Sequence, residues 1–195
     1  YPIPNSLILF LCCMLVSGAL LAQTTCPTSG NTVQVTTNAG NNTTGSLAWA
    51  LDCLNTQPSL TTVTFNIPGS TVIQPLALPN VGKAGALING LSQSGIVIDG
   101  SSPVGAPTNC FVLTAPNITV QGLTIRNFTA TAGGNAILAN ANNPTIRDNT
   151  IISNRTGIAT TTPVSAFTIT NNTIGASGTG NIANGVSVQG NPTTG

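Results

Sequence analysis

Apolar positions in the second half of the chain recur in one pattern. Asn117–Ile125, Asn143–Ile151 and Ala166–Ile174 align on one another, and a shorter copy, Gly95–Gly100, precedes them. Anchored on Ile98, Val120, Ile146 and Ile169, the offsets are 22, 26 and 23 residues. A period in this range is the mark of a solenoid. The anchor column is apolar and predicts an inward row. The column before it, Val97, Thr119, Thr145 and Thr168, is β-branched and mostly polar, and predicts an outward row. Such alternation is the period of two of a half-buried strand. Two places beyond the anchor stand Gly100, Gly122, Asp148 and Asn171, residue types that tolerate a left-handed backbone, so a corner is expected there. A second outward column (Thr124, Thr150, Thr173) and a second inward column (Ile125, Ile151, Ile174) follow.

Each unit thus reads strand, corner, strand, longer return, and successive units are expected to stack as coils of a parallel β-helix. Stacking is obligatory on energetic grounds. Ordering one coil costs roughly 25–45 kcal/mol at about 1–2 kcal/mol per residue. Each buried Ile, Val or Leu returns only about 1.5–3 kcal/mol. A lone coil cannot fold, so neighbours must cover its apolar edge.

The earlier chain fits this scheme. Val33 and Val35 alternate with polar residues, predicting a first strand. Ser46 is a candidate N-cap, and Leu47, Ala50, Leu51 and Leu54 follow at helical spacing. This helix is expected to cap the first coil, since a bare sheet edge invites pairing with other chains. Trp49 points off its apolar face and is expected to pack on the neighbouring loop or to stack on a sugar. Residues 63–67, 71–74 and 86–89 read as strands; 110–113 and 136–139 read as return strands, and 185–188 as the last strand. The organisation expected is therefore a signal peptide at 1–22, an N-terminal strand and capping helix at 23–60, and β-helix coils at 61–195.

The signal peptide rests on an apolar block at residues 7–16 followed by small residues and a polar start at Gln23, with cleavage between Ala22 and Gln23. The block is short for a span of about 20 residues, so contact with a membrane is expected only through export. Cys12 and Cys13 read as filler of this segment. An initiator Met, a basic n-region and a closing cap after Gly195 are missing, so the chain is expected to be part of a longer protein, truncated at the C-terminus.

Composition narrows the function. Four basic and three acidic side chains give a net charge of +1, and His is absent. No basic patch is available for nucleic acid. Export permits disulfides. Cys26, Cys53 and Cys110 allow three pairings; Cys26–Cys53 is preferred because it would tie the N-terminal segment to the helix. No Cys pair has metal-site spacing, and with no His neither a metal nor a cofactor is expected.

Glycoside hydrolysis needs two carboxyl groups. The acids are Asp52 on the helix, Asp99 and Asp148. In the alignment Asp99 shares a column with Gln121, Arg147 and Thr170, and Asp148 lies one column on. Two coils at about 4.8 Å each would put Asp99 and Asp148 about 10 Å apart, near the spacing of an inverting pair. Arg126, Arg147 and Arg155 are candidate bases for a lyase, but the carboxylate cluster that would hold calcium is missing. Asp148 doubles as a corner residue and Asp99 as a turn or surface one, so no catalytic site is expected, and Asp99, Asp148 and Arg147 are the candidates for one. The threonines 119, 145 and 168, with 124, 150 and 173, could form two ladders for binding a glycan or ice; Thr is also simply a good outward strand residue. Asn-x-Thr triplets at Asn42, Asn117, Asn127, Asn154 and Asn171 follow from composition.

Gly45-Ser46-Leu47 with Ala50-Leu51 and Asn55, the run Val63–Gly69, Ile96–Gly100 and Asn171–Gly175 together resemble secreted bacterial right-handed parallel β-helix repeat proteins of the pectin-lyase-like fold. The likeness spans about residues 32–188. Members often carry Arg and Glu or Gln in the Gly-Ser-Leu helix, where Ala48 and Trp49 stand here. The resemblance implies a secreted or cell-surface protein with further C-terminal domains. The function expected is a non-catalytic stalk, adhesin or platform for a polysaccharide or cell-surface glycan. The alternatives are a carbohydrate-active enzyme, lyase or hydrolase, with catalytic coils beyond residue 195, and a Thr-ladder ice binder.

Overall fold

The alternating segments become short strands. In the computed structural model, which describes residues 25–102, 104–175 and 178–189, the elements run β1 (Thr32–Val35), α1 (Leu47–Thr56), β2 (Thr62–Phe65), β3 (Val72–Ile73), β4 (Leu87–Asn89) and β5 (Val97–Asp99). They continue with β6 (Phe111–Leu113), β7 (Thr119–Gln121), β8 (Thr124–Arg126), β9 (Asn135–Ala139) and β10 (Thr145–Arg147). Last come β11 (Thr150–Ile152), β12 (Thr156–Ala159), β13 (Thr168–Thr170), β14 (Thr173–Ile174) and β15 (Asn184–Ser187). The signal peptide with its cleavage site, and Cys12 and Cys13, lie outside the described residues.

Three parallel sheets form the walls of a β-solenoid of about six turns. The first is β1-β2-β4-β7-β10-β13, the second β3-β5-β8-β11-β14, the third β6-β9-β12-β15. Inward residues pile up in rows. Val33, Val63, Ile88, Val120, Ile146 and Ile169 are in register along the first sheet. Ile73, Ile98, Ile125, Ile151 and Ile174 are in register along the second. Phe111, Ile137, Ile158 and Val186 follow on the third. The middle coils of each row are fully buried, so the core is a continuous apolar column.

The repeat frame of the sequence alignment needs one correction. Ile98 does not share a row with Val120, Ile146 and Ile169. It pairs with Ile125 on the second sheet, and Ile88 takes the place on the first. Each coil carries two strands of the same Thr-apolar pattern five residues apart, as Val120 and Ile125 show. A half-repeat therefore matches either sheet. A longer excursion between β4 and β5, which sets Ile88 and Ile98 10 residues apart, also stretches the interval in the first row to 32 residues, from Ile88 to Val120, and hides the true partner. Gly100 is corrected with it. Gly122, Asp148 and Asn171 do turn the first corner with positive φ, but Asn127 and Ser153 turn the second, and Gly100 is not left-handed. Gly100 is small for another reason: a Cβ there would lie 2.7 Å from the Asn127 carbonyl oxygen.

The helix α1 is capped by Ser46, whose Oγ accepts a hydrogen bond from the Trp49 amide. Leu47, Leu51 and Leu54 are buried, and α1 packs on β1 and β2. Trp49 is buried in the same cluster and not on the surface. With 9% of its surface exposed, its ring is enclosed with the core, which removes it as a sugar-stacking platform. A disulfide joins Cys26 to Cys53 of α1. In the same last turn of the helix, Asn55 Nδ2 donates to the Asn80 carbonyl (2.7 Å) and its Oδ1 accepts from the Gly82 amide (2.9 Å). Lys83 Nζ donates to the Pro58 carbonyl (2.8 Å), holding the segment after α1 against the next coils.

Candidate functional site

The carboxylates are dispersed. Asp99 is level with Arg126 on the second sheet, not with Gln121 and Arg147, whose row on the first sheet is Asn89–Gln121–Arg147–Thr170. The adjacent-column placement of Asp99 and Asp148 is therefore corrected: the half-repeat shift of Ile98 carries Asp99 with it. Asp99 Oδ2 accepts from Arg126 Nε (2.8 Å), and its Oδ1 from Asn127 Nδ2 (2.9 Å) and the Ser101 amide (2.9 Å). Asp148 is in the first corner, where its Oδ2 accepts from Arg147 Nη1 (3.2 Å) on the surface. Asp52, on α1, accepts from Asn42 Nδ2 (2.6 Å). The structure does not bring Asp99, Asp148 and Arg147 together as one catalytic group.

Burial of Asp99 opposes its ionisation, yet the hydrogen bonds from Asn127, Ser101 and Arg126 outweigh it and hold its pKa below the ordinary value. The folded state then binds this proton more weakly than the unfolded chain. Its stabilising contribution is present above the unfolded pKa of about 3.9 and is lost as pH falls through the lower folded pKa. Denaturation midpoints measured from about pH 6 downward should be level at first and fall below about pH 4. Asp99→Asn should be less stable at neutral pH and lose much of that acid dependence; an unchanged acid limb would refute the assignment.

The threonines stand in two rows. Thr119, Thr145 and Thr168 are in register on the first sheet, where Leu87 interrupts the row before Thr62. Thr124, Thr150 and Thr173 are in register on the second, beyond which the row becomes Val97 and Val72. On the first sheet the neighbouring row carries amides and a guanidinium. Gln121 Nε2 donates to Asn89 Oδ1 (2.8 Å), and Gln121 Oε1 is buried without a partner.

Two features were not read from the sequence. The first is a pair of internal asparagine ladders. Asn149 Oδ1 accepts from the Leu123 amide, and Asn172 Oδ1 accepts from the Asn149 amide. Asn154 Oδ1 accepts from the Phe128 amide, and Asn181 Oδ1 from the Asn154 amide. Consecutive repeats carry Asn149 and Asn172 three places beyond the anchor, so the first ladder had a visible signal. Asn154 is fully buried, so its Asn-x-Thr triplet is spent on the interior. The second is a groove of about 460 Å³ beside β3, flanked by residues 38–41 and by Ser102 and Val104. Its lining comes from three distant stretches, which no periodicity links.

Metal donors are sparse. Among the described residues no group of three or more His, Cys, Asp or Glu comes together. Cys26 and Cys53 are bonded to each other, and Cys110 is buried, which pushes its thiol pKa well up. Sequence comparison adds one finding. The model of a family described as periplasmic copper-binding protein (NosD) matches residues 65–193, from the end of β2 through β15. No curated protein and no solved structure matches the chain.

Proposed function

The chain belongs to the NosD family of periplasmic β-helix repeat proteins, and from that premise we propose that it is an exported, non-catalytic platform that binds a neutral glycan along its solenoid. The observation that carries this reading is the dispersal of Asp52, Asp99 and Asp148 over three separate places, each engaged by a neighbouring side chain. Acid–base chemistry needs two such groups facing one substrate. What the solenoid offers instead is hydroxyls and amides at coil spacing.

The family description names copper, and the described residues of this chain do not fit it. Copper takes imidazole, thiolate and thioether ligands. The chain has no His, and its one Met, Met14, lies with Cys12 and Cys13 outside the described residues. The Cys110 thiol is enclosed by apolar neighbours and held protonated. No step of the function is therefore routed through a metal held by the described residues.

The test uses the whole chain. Affinity electrophoresis through neutral and uronate polysaccharides reads binding, and product assays on the same polymers read turnover. Retardation without product is expected, together with no withdrawal of Cu(I) from a chromogenic chelator. Turnover that disappears in Asp99→Asn or Asp148→Asn would restore the enzyme reading. Stoichiometric copper capture, or no retardation by any polymer, would overturn the platform.

A further inference from the structure

The groove beside β3 has a built wall and a lining of one chemical character. Residues 38–41 strap across the outer edge of the second sheet, where β3 has no strand beyond it. The strap is held by the Leu76 amide, which donates to the Gly40 carbonyl (2.8 Å). Gly40 is packed so closely there that a Cβ would overlap the Gln74 carbonyl oxygen. Asn38 and Asn41 project from the strap, Gln74 from the segment after β3, and Ser102 from the next coil. Gln74 Nε2 reaches Ser101 Oγ at 3.3 Å, and Asn41 Oδ1 accepts from Thr43 Oγ1 at 3.2 Å, so Gln74 Oε1 and Asn41 Nδ2 keep their capacity. Leu76 and Val104 flank the groove with exposures of 42% and 78%.

No ionisable side chain lines the groove. The acid nearest in sequence, Asp99, is already matched by Arg126. A charged ligand would give up water there without a counter-charge. The lining offers amide donors and acceptors in pairs, separated by aliphatic surface. A pyranose ring presents the complement: vicinal hydroxyls on its rim and C–H groups on its faces. The volume lies within the range of about 300–1,000 Å³ usual for small-molecule sites.

We propose that this groove is a subsite for one or two pyranose units of a neutral glycan. The proposal deepens the platform reading and rests on it; it differs in placing the ligand at the strap and not on the threonine rows. The experiment is an NMR titration of the whole chain with neutral tetrasaccharides, with a uronate tetramer and an uncharged tetrapeptide as further arms. Shifts should appear first on the side-chain amides of Asn38, Asn41 and Gln74. The double variant Asn41→Ala/Gln74→Ala, which changes exposed side chains only, should weaken binding about tenfold or more, as expected for two lost hydrogen bonds. If shifts map instead to Thr119, Thr145 and Thr168 and the double variant binds as wild type does, the groove assignment fails and the platform stands. If the uronate or the peptide binds more tightly in the groove, the neutral-glycan assignment fails. If no saccharide binds anywhere, both fall.

Discussion

Asn154→Ala is expected to destabilise the solenoid by about 2–4 kcal/mol, lowering Tm by about 5–15 °C. Asn154 is fully enclosed. Its Oδ1 is the acceptor for the Phe128 amide at 3.1 Å, and its Nδ2 donates to the carbonyls of Ile125 and Ile152, each at 3.0 Å. Alanine leaves the Phe128 amide buried with no acceptor, and an orphaned buried group costs more than the net worth of the bond it lost. Asn154→Asp should be worse still. It keeps an acceptor but sets a carboxylate against two carbonyl oxygens, where neither water nor a cation can answer the charge. Hydrogen exchange should then lose protection in the coils on either side of residue 154 before the coils near α1, because solenoid stability is carried between neighbouring turns. Asn172→Ala, in a half-exposed position at the same kind of corner, should cost less. A loss at 154 no larger than the roughly 0.5 kcal/mol of an ordinary surface substitution would mean that the ladder is ornament on a fold held by its apolar rows alone.

The two ladders also mark where a sequence stops being readable. The apolar rows were legible because a strand face repeats every second residue and each coil repeats that face. The corners were legible because Asp148 and Asn171 are types that accept positive φ. Asn149 and Asn172 fell in the adjacent column and looked like more of the same corner chemistry, although their side chains turn inward. Nothing in residue type separates an asparagine that bends the backbone from one that bonds it. Assigning strands to walls failed once, at Ile98, because two walls share one motif and an excursion of unequal length broke the period. The groove could not be found in this way at all. Asn38, Gln74 and Ser102 meet only because the strap folds over β3, and no local pattern encodes that meeting.

Breaking the Cys26–Cys53 bridge is expected to cost about 3–4 kcal/mol, the loop-closure entropy returned to an unfolded chain by a bridge with a sequence separation of 27. The loss should be local in its consequences. The bridge ties the segment before β1 to α1, and α1 is what packs on β1 and β2 at that end of the first sheet. Asn55, in the same last turn as Cys53, still binds the helix to the following coils, and Lys83 holds the segment just after it. The helix should therefore stay attached to the coils while the segment before β1 is freed. With β1 at the edge of its sheet, weakening its cover exposes unpaired backbone groups, the state from which edge-to-edge association starts. Cys26→Ala should thus lower Tm, raise the concentration dependence of light scattering on heating, and leave the buried Cys110 thiol unreactive to alkylation until the core melts. Early alkylation of Cys110 in this variant would show instead that the bridge holds the whole column, and that the helix end and the distant third sheet unfold as one unit.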